Sequence, residues 1–192
     1  RAGIKPDVTA GLSLGEYCSL YVAGAMSFED AVRLTRIRGK LMSSEVPAGE
    51  GSMAAVIGLD ADTIENAIKD MDGVWCANFN CPGQIVITGK KEAVAEAMPK
   101  CTEAGALKVV ELKVSGPFHS PLLKGAGDKL AAELEGVELG DLKIPYIANS
   151  TAEAITDKSQ IKPLLQAQVS SPVKWEQTLY ELEKMGVDTI IR

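Results

Sequence analysis

The sequence predicts an α/β fold: a hydrolase-like core built on a parallel sheet, with a ferredoxin-like βαββαβ subdomain inserted into it. Two observations carry this. A short apolar segment at 7–10 runs into Gly11-Leu12-Ser13-Leu14-Gly15, a Gly-x-Ser-x-Gly turn ahead of helix-forming sequence. From 53 to 114, strand-type and helix-type segments alternate in the order βαββαβ. The 192 residues have room for one domain of ordinary size, or a core with a small insert. The expected division is a core of 1–51 and 115–192 around a subdomain of 52–114.

Each element has its own signal. Segment 7–10 reads as the strand entering the turn, and a helix then runs to about residue 23, where Gly24 ends it. Ser27 caps a second helix, with Glu29 and Asp30 in its first turn, that lasts until Val46-Pro47-Ala48-Gly49. The insert contributes a strand at 53–59, a helix at 62–71, strands at 74–80 and 84–88, a helix at 91–104 and a strand at 107–114. Ser120-Pro121 reads as a helix start with proline at the first helical position. That helix reaches about 135 and is weakened by Gly125 and Gly127. A strand at 144–148, helices at 160–169 and 173–185, and a strand at 187–192 complete the chain.

Composition narrows the function classes. Hydrophobic residues make up 46% and charged residues 24%, ordinary values for a globular protein. The net charge of −6 argues against binding bulk nucleic acid. No apolar run reaches membrane-spanning length and no signal peptide stands out, so a cytoplasmic location is expected. Cys18, Cys76, Cys81 and Cys101 lack CxxC spacing, which points to reduced thiols and against zinc.

The Gly-x-Ser-x-Gly turn has the pattern of a nucleophile elbow. Side chains at Gly11 or Gly15 are expected to crowd the backbone of so tight a turn. Ser13 would be the exposed nucleophile, and the amide of Leu14 would face the oxygen that turns negative on attack. A serine hydroxyl needs a base, and His119 is the sole imidazole of the chain. On a helical wheel Arg38 shares a face with Ala31, Leu34, Leu41 and Met42, opposite Arg33, Arg36 and Lys40. A guanidinium on an apolar face requires an anion. An internal carboxylate such as Glu16, or the carboxylate of a substrate, would serve. Arg33, Arg36, Lys40 and Lys174 read as solvated surface, and Tyr17, Phe28, Trp75 and Trp175 as core. Asn78 and Asn80 make turn hydrogen bonds or belong to the site.

Taken together, Gly11-Leu12-Ser13-Leu14-Gly15-Glu16-Tyr17, Arg38-Gly39-Lys40, Asn80-Cys81-Pro82-Gly83-Gln84, Pro117-Phe118-His119-Ser120-Pro121 and Ser171-Pro172-Val173-Lys174-Trp175 resemble the malonyl-CoA:acyl carrier protein transacylase family. The resemblance covers essentially the whole chain in order. It implies that Ser13 is acylated and that His119 is its base. It implies that Arg38 binds the malonyl carboxylate, and that the main-chain carbonyl of Gln168 orients the histidine in place of an acid. Phe118 matches the malonyl-selective form of its motif, where bulk disfavours a methyl branch. Malonyl-CoA would be the substrate, with no metal or redox cofactor, and acyl carrier protein and coenzyme A thioesters the partners, without nucleic acid or membrane.

Two departures stand out. Leu12 replaces the family's usual histidine, which alters the pocket but not the base. The family's N-terminal Gly-Gln-Gly strand, whose glutamine amide completes the oxyanion hole, has no counterpart, nor do the strand and glycine-rich turn that follow Ile191 in the family. The chain, beginning at Arg1, is therefore expected to be a core fragment. The alternatives are a serine thioesterase or hydrolase with an acid on its histidine, a fragment that binds its partner without turnover, and an acyltransferase domain cut from a polyketide synthase. Glu16-Tyr17 and the compact subdomain favour the free-standing bacterial type over the last of these.

Overall fold

A computed structural model describes residue 3 and residues 5–191 of the chain. The turn at Ser13 is held by a small sheet. Strand β1 (Thr9–Ala10) pairs in parallel with β6 (Tyr146–Ile147), and β6 pairs antiparallel with β7 (Ala154–Ile155). Among the described residues, the expected parallel core sheet is one parallel pair with an antiparallel third strand.

Helix α1 (Gly15–Val22) leaves the turn, and Gly24, at φ +83°, ends it. Helix α2 (Phe28–Ser44) starts where Ser27 accepts a hydrogen bond from the Asp30 amide, which satisfies one of the free N–H groups of the first turn. Its buried face is Ala31, Leu34, Arg38 and Met42, while Arg33, Arg36 and Lys40 lie in solvent. The stripe read from the sequence is the stripe that packs. Together with α5 (Lys124–Glu135) and α6 (Ile161–Gln168), α2 encloses the larger core, centred on Leu34, Leu123, Leu130 and Leu165. Phe28 is a correction: it is 59% exposed and packs edge-to-face on Tyr21 instead of entering the core.

The second sheet contains β2 (Gly51–Ile57), β3 (Val74–Cys81), β4 (Gln84–Lys90) and β5 (Lys108–Glu111), with helices α3 (Ala61–Ile68) and α4 (Lys91–Glu103) between them. Its order, β5-β2-β4-β3, is antiparallel throughout, as a ferredoxin-like unit requires. Alternation along the strands separates two faces. Ala54, Val56, Ile85 and Ile87 pack under α3 and α4, whereas Met53, Ala77 and Val86 turn the other way, towards Phe118.

Four expectations are revised by the remaining elements. Residues Val173–Lys174 form β8, which extends the second sheet by pairing in parallel with β3, so helix α7 begins only at Trp175 (Trp175–Lys184). A strand from beyond residue 114 thereby borders the unit of 52–114. Ser120 does stand at a helix start with Pro121 first, but the helix is one turn of 3-10 at Pro121–Leu123 ahead of α5, and the Ser120 hydroxyl donates to the Pro117 carbonyl instead of accepting from that turn. Of the strand expected at 187–192, residue 192 lies outside the described residues, and 187–191 pair with no strand among them. Trp75 and Trp175 are only partly buried, each lining a hollow. All four cysteines are free. No helix of the described residues is long and apolar enough to cross a membrane, and among them no cluster of three His, Cys, Asp or Glu could hold a metal.

Candidate active site

Ser13 occupies the left-handed region at φ +51°, a conformation that costs a non-glycine residue on the order of 1–2 kcal/mol. Two features hold it there. Its N–H donates to Asn149 Oδ1 at 2.5 Å, and Asn149 Nδ2 donates back to the Gly11 carbonyl at 2.8 Å. Gly11 has no room for a side chain, because a Cβ there would land on the Gly15 carbonyl. At Gly15 a Cβ would meet nothing within 4 Å, so crowding confines only the first glycine of the motif.

His119 is also left-handed, at φ +58°, in the corner between Pro117 and Pro121, and is only 4% exposed. Its Nε2 lies 2.8 Å from Ser13 Oγ and its Nδ1 lies 3.0 Å from the main-chain oxygen of Gln168. A carbonyl only accepts, so Nδ1 carries the proton and Nε2 is free to accept the serine hydrogen. Gln168 is the last residue of α6, where a carbonyl has no partner within the helix. Burial, and then the nearby charge of Arg38, push the imidazole down to about 4, which keeps it neutral.

Arg38 is 5% exposed. Its Nη2 donates to Ser13 Oγ at 2.8 Å and its Nε to Gln168 Oε1 at 3.1 Å, and its guanidinium lies over the Tyr17 ring at 5.9 Å. It makes no salt bridge among the described residues. Of the two partners open to it from the sequence, the internal carboxylate is not in contact. Gln168 Nε2 donates to the Ser13 carbonyl at 2.8 Å and to Glu16 Oε2 at 2.6 Å, so one glutamine touches the serine, the arginine, the histidine and the glutamate.

Ser13, Arg38 and His119 open onto a cleft of about 730 Å³ between the two sheets. Leu12, 40% exposed, and Phe118 line it, as do Asn78, Asn80 and Trp175. Neither asparagine side chain makes a hydrogen bond among the described residues, so the expected turn bonds do not form. The Leu14 side chain is 52% exposed, and its N–H has no partner among the described residues. A half-buried nucleophile on a buried base, with the base oriented from behind and a cation at the attacking oxygen, suits acyl transfer from an anionic substrate.

Comparison with known proteins gives the same direction. The acyl transferase domain family matches residues 1–192. The chain belongs to that family. It is 45% identical over 195 residues to a malonyl CoA-acyl carrier protein transacylase of Bacillus subtilis, covering 100% of this chain and 62% of that protein. It is 43% identical over 187 residues to the protein of the same name from Haemophilus influenzae, covering 96% of this chain and 60% of that one. An acyl carrier protein S-malonyltransferase from Vibrio cholerae has a similar structure, with a TM-score of 0.93 and 42% identity over 96% of this chain and 61% of its own. So does a malonyl-transacylase solved in complex with a type II PKS acyl-carrier protein, with a TM-score of 0.93 and 42% identity over 97% and 61%. The chain thus spans less than two thirds of the length of these relatives.

Two residues of this acyl transferase domain escaped the sequence reading as site components. Asn149 is fully buried, and its role follows from contacts 136 and 138 residues away. Glu16 entered only as a possible partner of Arg38, yet its carboxylate accepts from Gln168 and from the Asn149 N–H at 3.4 Å. Its Oε1 is buried without a partner among the described residues. Asp128, the acid a hydrolase triad would seek near His119, is at the surface, bonded to Lys124 and Gln166.

Proposed function

We propose that this chain carries the catalytic centre of a cytoplasmic malonyl-CoA:acyl carrier protein transacylase, with residues 52–114 an insert in a core of 1–51 and 115–192. The observation that carries the proposal is Arg38: a buried guanidinium at the nucleophile oxygen, with no carboxylate paired to it. A malonyl group brings that carboxylate 1,3 to its thioester carbonyl, so pairing it with Arg38 holds the carbonyl against Ser13.

Each step is carried by side-chain and main-chain groups of this chain. Ser13 Oγ attacks the thioester carbon while His119 Nε2 takes its proton and the Gln168 carbonyl steadies Nδ1–H. The Leu14 N–H meets the oxyanion. The carbon–sulfur bond breaks, the proton passes from His119 to the departing coenzyme A sulfur, and a malonyl-serine ester remains. The phosphopantetheine thiol of acyl carrier protein then loses its proton to His119 and attacks the ester, and Ser13 recovers its hydrogen. Leu12 and Phe118 shape the pocket around the acyl chain. An acetyl group would leave Arg38 unpaired in a buried site, and the transfer is selective for that reason.

Mass spectrometry of the chain mixed with malonyl-CoA tests this. A malonyl adduct on the peptide bearing Ser13, absent from Ser13→Ala, is the expected result. No adduct, or one on another residue, would refute it.

A further inference from the structure

The mechanism leaves one buried acid unused. Glu16 sits at the start of α1, fully buried, with Oε2 holding Gln168 Nε2 and the Asn149 N–H and with Oε1 facing no partner among the described residues. The same Gln168 amide reaches Arg38 through its other end, so the carboxylate and the guanidinium are joined through a single side chain. A second carboxylate entering at Arg38 would place two buried anions around one cation, a combination that low-dielectric surroundings strongly disfavour.

We propose that Glu16 is a charge-compensating residue: when an acyl carboxylate pairs with Arg38, Glu16 Oε1 takes up one proton from solvent. This inference rests on Arg38 being the carboxylate receptor argued above. The proton lands on the one oxygen that holds nothing, so Oε2 keeps both its hydrogen bonds and Gln168 keeps its place. No other bond forms or breaks. The loaded site then carries one cation and one anion, and specificity for an anionic acyl group acquires a dependence on pH.

The surroundings support the assignment. Burial pushes the Glu16 carboxyl up to about 7, against the opposing pull of Gln168, Asn149 and Arg38. The charged and titratable groups around it are Arg38 on α2, Tyr17 beside it on α1, Tyr146 on β6 and, behind Gln168, His119. Burial raises both phenols and holds the imidazole neutral, so all three stay uncharged near neutral pH. Glu16 is the member of the group that changes charge there.

Calorimetry in buffers of different ionisation enthalpy counts the protons. The Ser13→Ala chain keeps the thioester intact, and acetyl-CoA supplies the same coenzyme without the carboxylate. Malonyl-CoA is expected to bind with proton uptake near pH 7 and to tighten on acidification by up to about tenfold per pH unit, the limit for one linked proton. Acetyl-CoA should lack this component, and so should malonyl-CoA on Ser13→Ala/Glu16→Gln. Equal uptake with both thioesters, or uptake that survives Glu16→Gln, overturns the assignment while leaving the proposed function standing. Failure of malonyl-CoA to bind Ser13→Ala at all removes the reading of Arg38, and the inference with it. Should the double variant not fold, the two thioesters on Ser13→Ala decide alone, and identical proton counts refute the proposal.

Discussion

Glu16 and His119 are expected to tilt the stability of the folded chain in opposite directions with pH. The Glu16 carboxyl rises from 4.5 to about 7 on folding. The folded state therefore holds the proton more tightly, and this stabilising contribution is complete below 4.5 and lost as pH climbs through 7. His119 falls from 6.5 to about 4. Its contribution is present above 6.5 and lost as pH falls through 4. Each shift corresponds to roughly 3 kcal/mol, and the two windows overlap, so in the native chain they largely cancel. Single variants unmask them. Glu16→Gln leaves the imidazole in place, and its stability should fall on acidification relative to the native chain. His119→Asn leaves the carboxyl, and its stability should fall as pH rises. Asparagine also tolerates the left-handed backbone at this position. Thermal denaturation followed by circular dichroism across this range would show midpoints diverging by roughly 6–12 °C at the extremes. Asp60, Asp128 and Asp157 are exposed, are held low by hydrogen bonds of their own, and drop out of the differences because all three proteins share them. Parallel pH profiles for the three proteins would refute the reasoning.

Removing the guanidinium should strip selectivity from the site. Arg38→Ala is expected to cut acylation by malonyl-CoA about a hundredfold or more, and acylation by acetyl-CoA far less. Equal losses in single-turnover acylation would sink the carboxylate role. The two glycines of the Ser13 turn should part company: Gly11→Ala overpacks the turn and costs about 1–3 kcal/mol or more in chemical denaturation, while Gly15→Ala stays within about 0.5 kcal/mol, because only the first position is crowded.

Much of this site was legible from local pattern. The elbow at Ser13 is announced by its spacing, and the buried side of α2 by a helical period that places Arg38 beside Leu34 and Met42. Such a pattern shows which face is covered and says nothing of what lies across it. It left two partners open for Arg38, and the contacts that decide, to Gln168 and Ser13, come from elsewhere in the chain. Asn149 was out of reach for the same reason, since an asparagine in Ala148-Asn149-Ser150 reads as any turn residue. Gln168 was reached only through family resemblance, because what it offers His119 is a main-chain oxygen, which every residue has. Two-residue strands fail differently. Val173–Lys174 and Ala154–Ile155 are too short for alternation to show, and pairing with β3 or β6 alone makes them strands. Phe28 was misplaced because an aromatic residue at a helix start is covered only if another element reaches it.

The charge count around Gln168 explains why so polar a cluster tolerates burial. With the cleft empty and Glu16 ionised, one cation and one anion share a single glutamine and their fields offset, although they do not touch. With Glu16 protonated the cluster carries the charge of Arg38 alone, and it holds one unpaired cation beside Ser13 Oγ. An incoming acyl carboxylate is the group that neutralises this second state, whereas in the first it adds a net negative charge. Binding an anion and taking up a proton are therefore two halves of one electrostatic step. A neutral acyl group gains from neither half. Selectivity on this account lies in the whole buried circuit of Arg38, Gln168 and Glu16, and mutating the carboxylate, which need not touch the acyl group, should blunt discrimination as a function of pH without displacing Ser13 or His119.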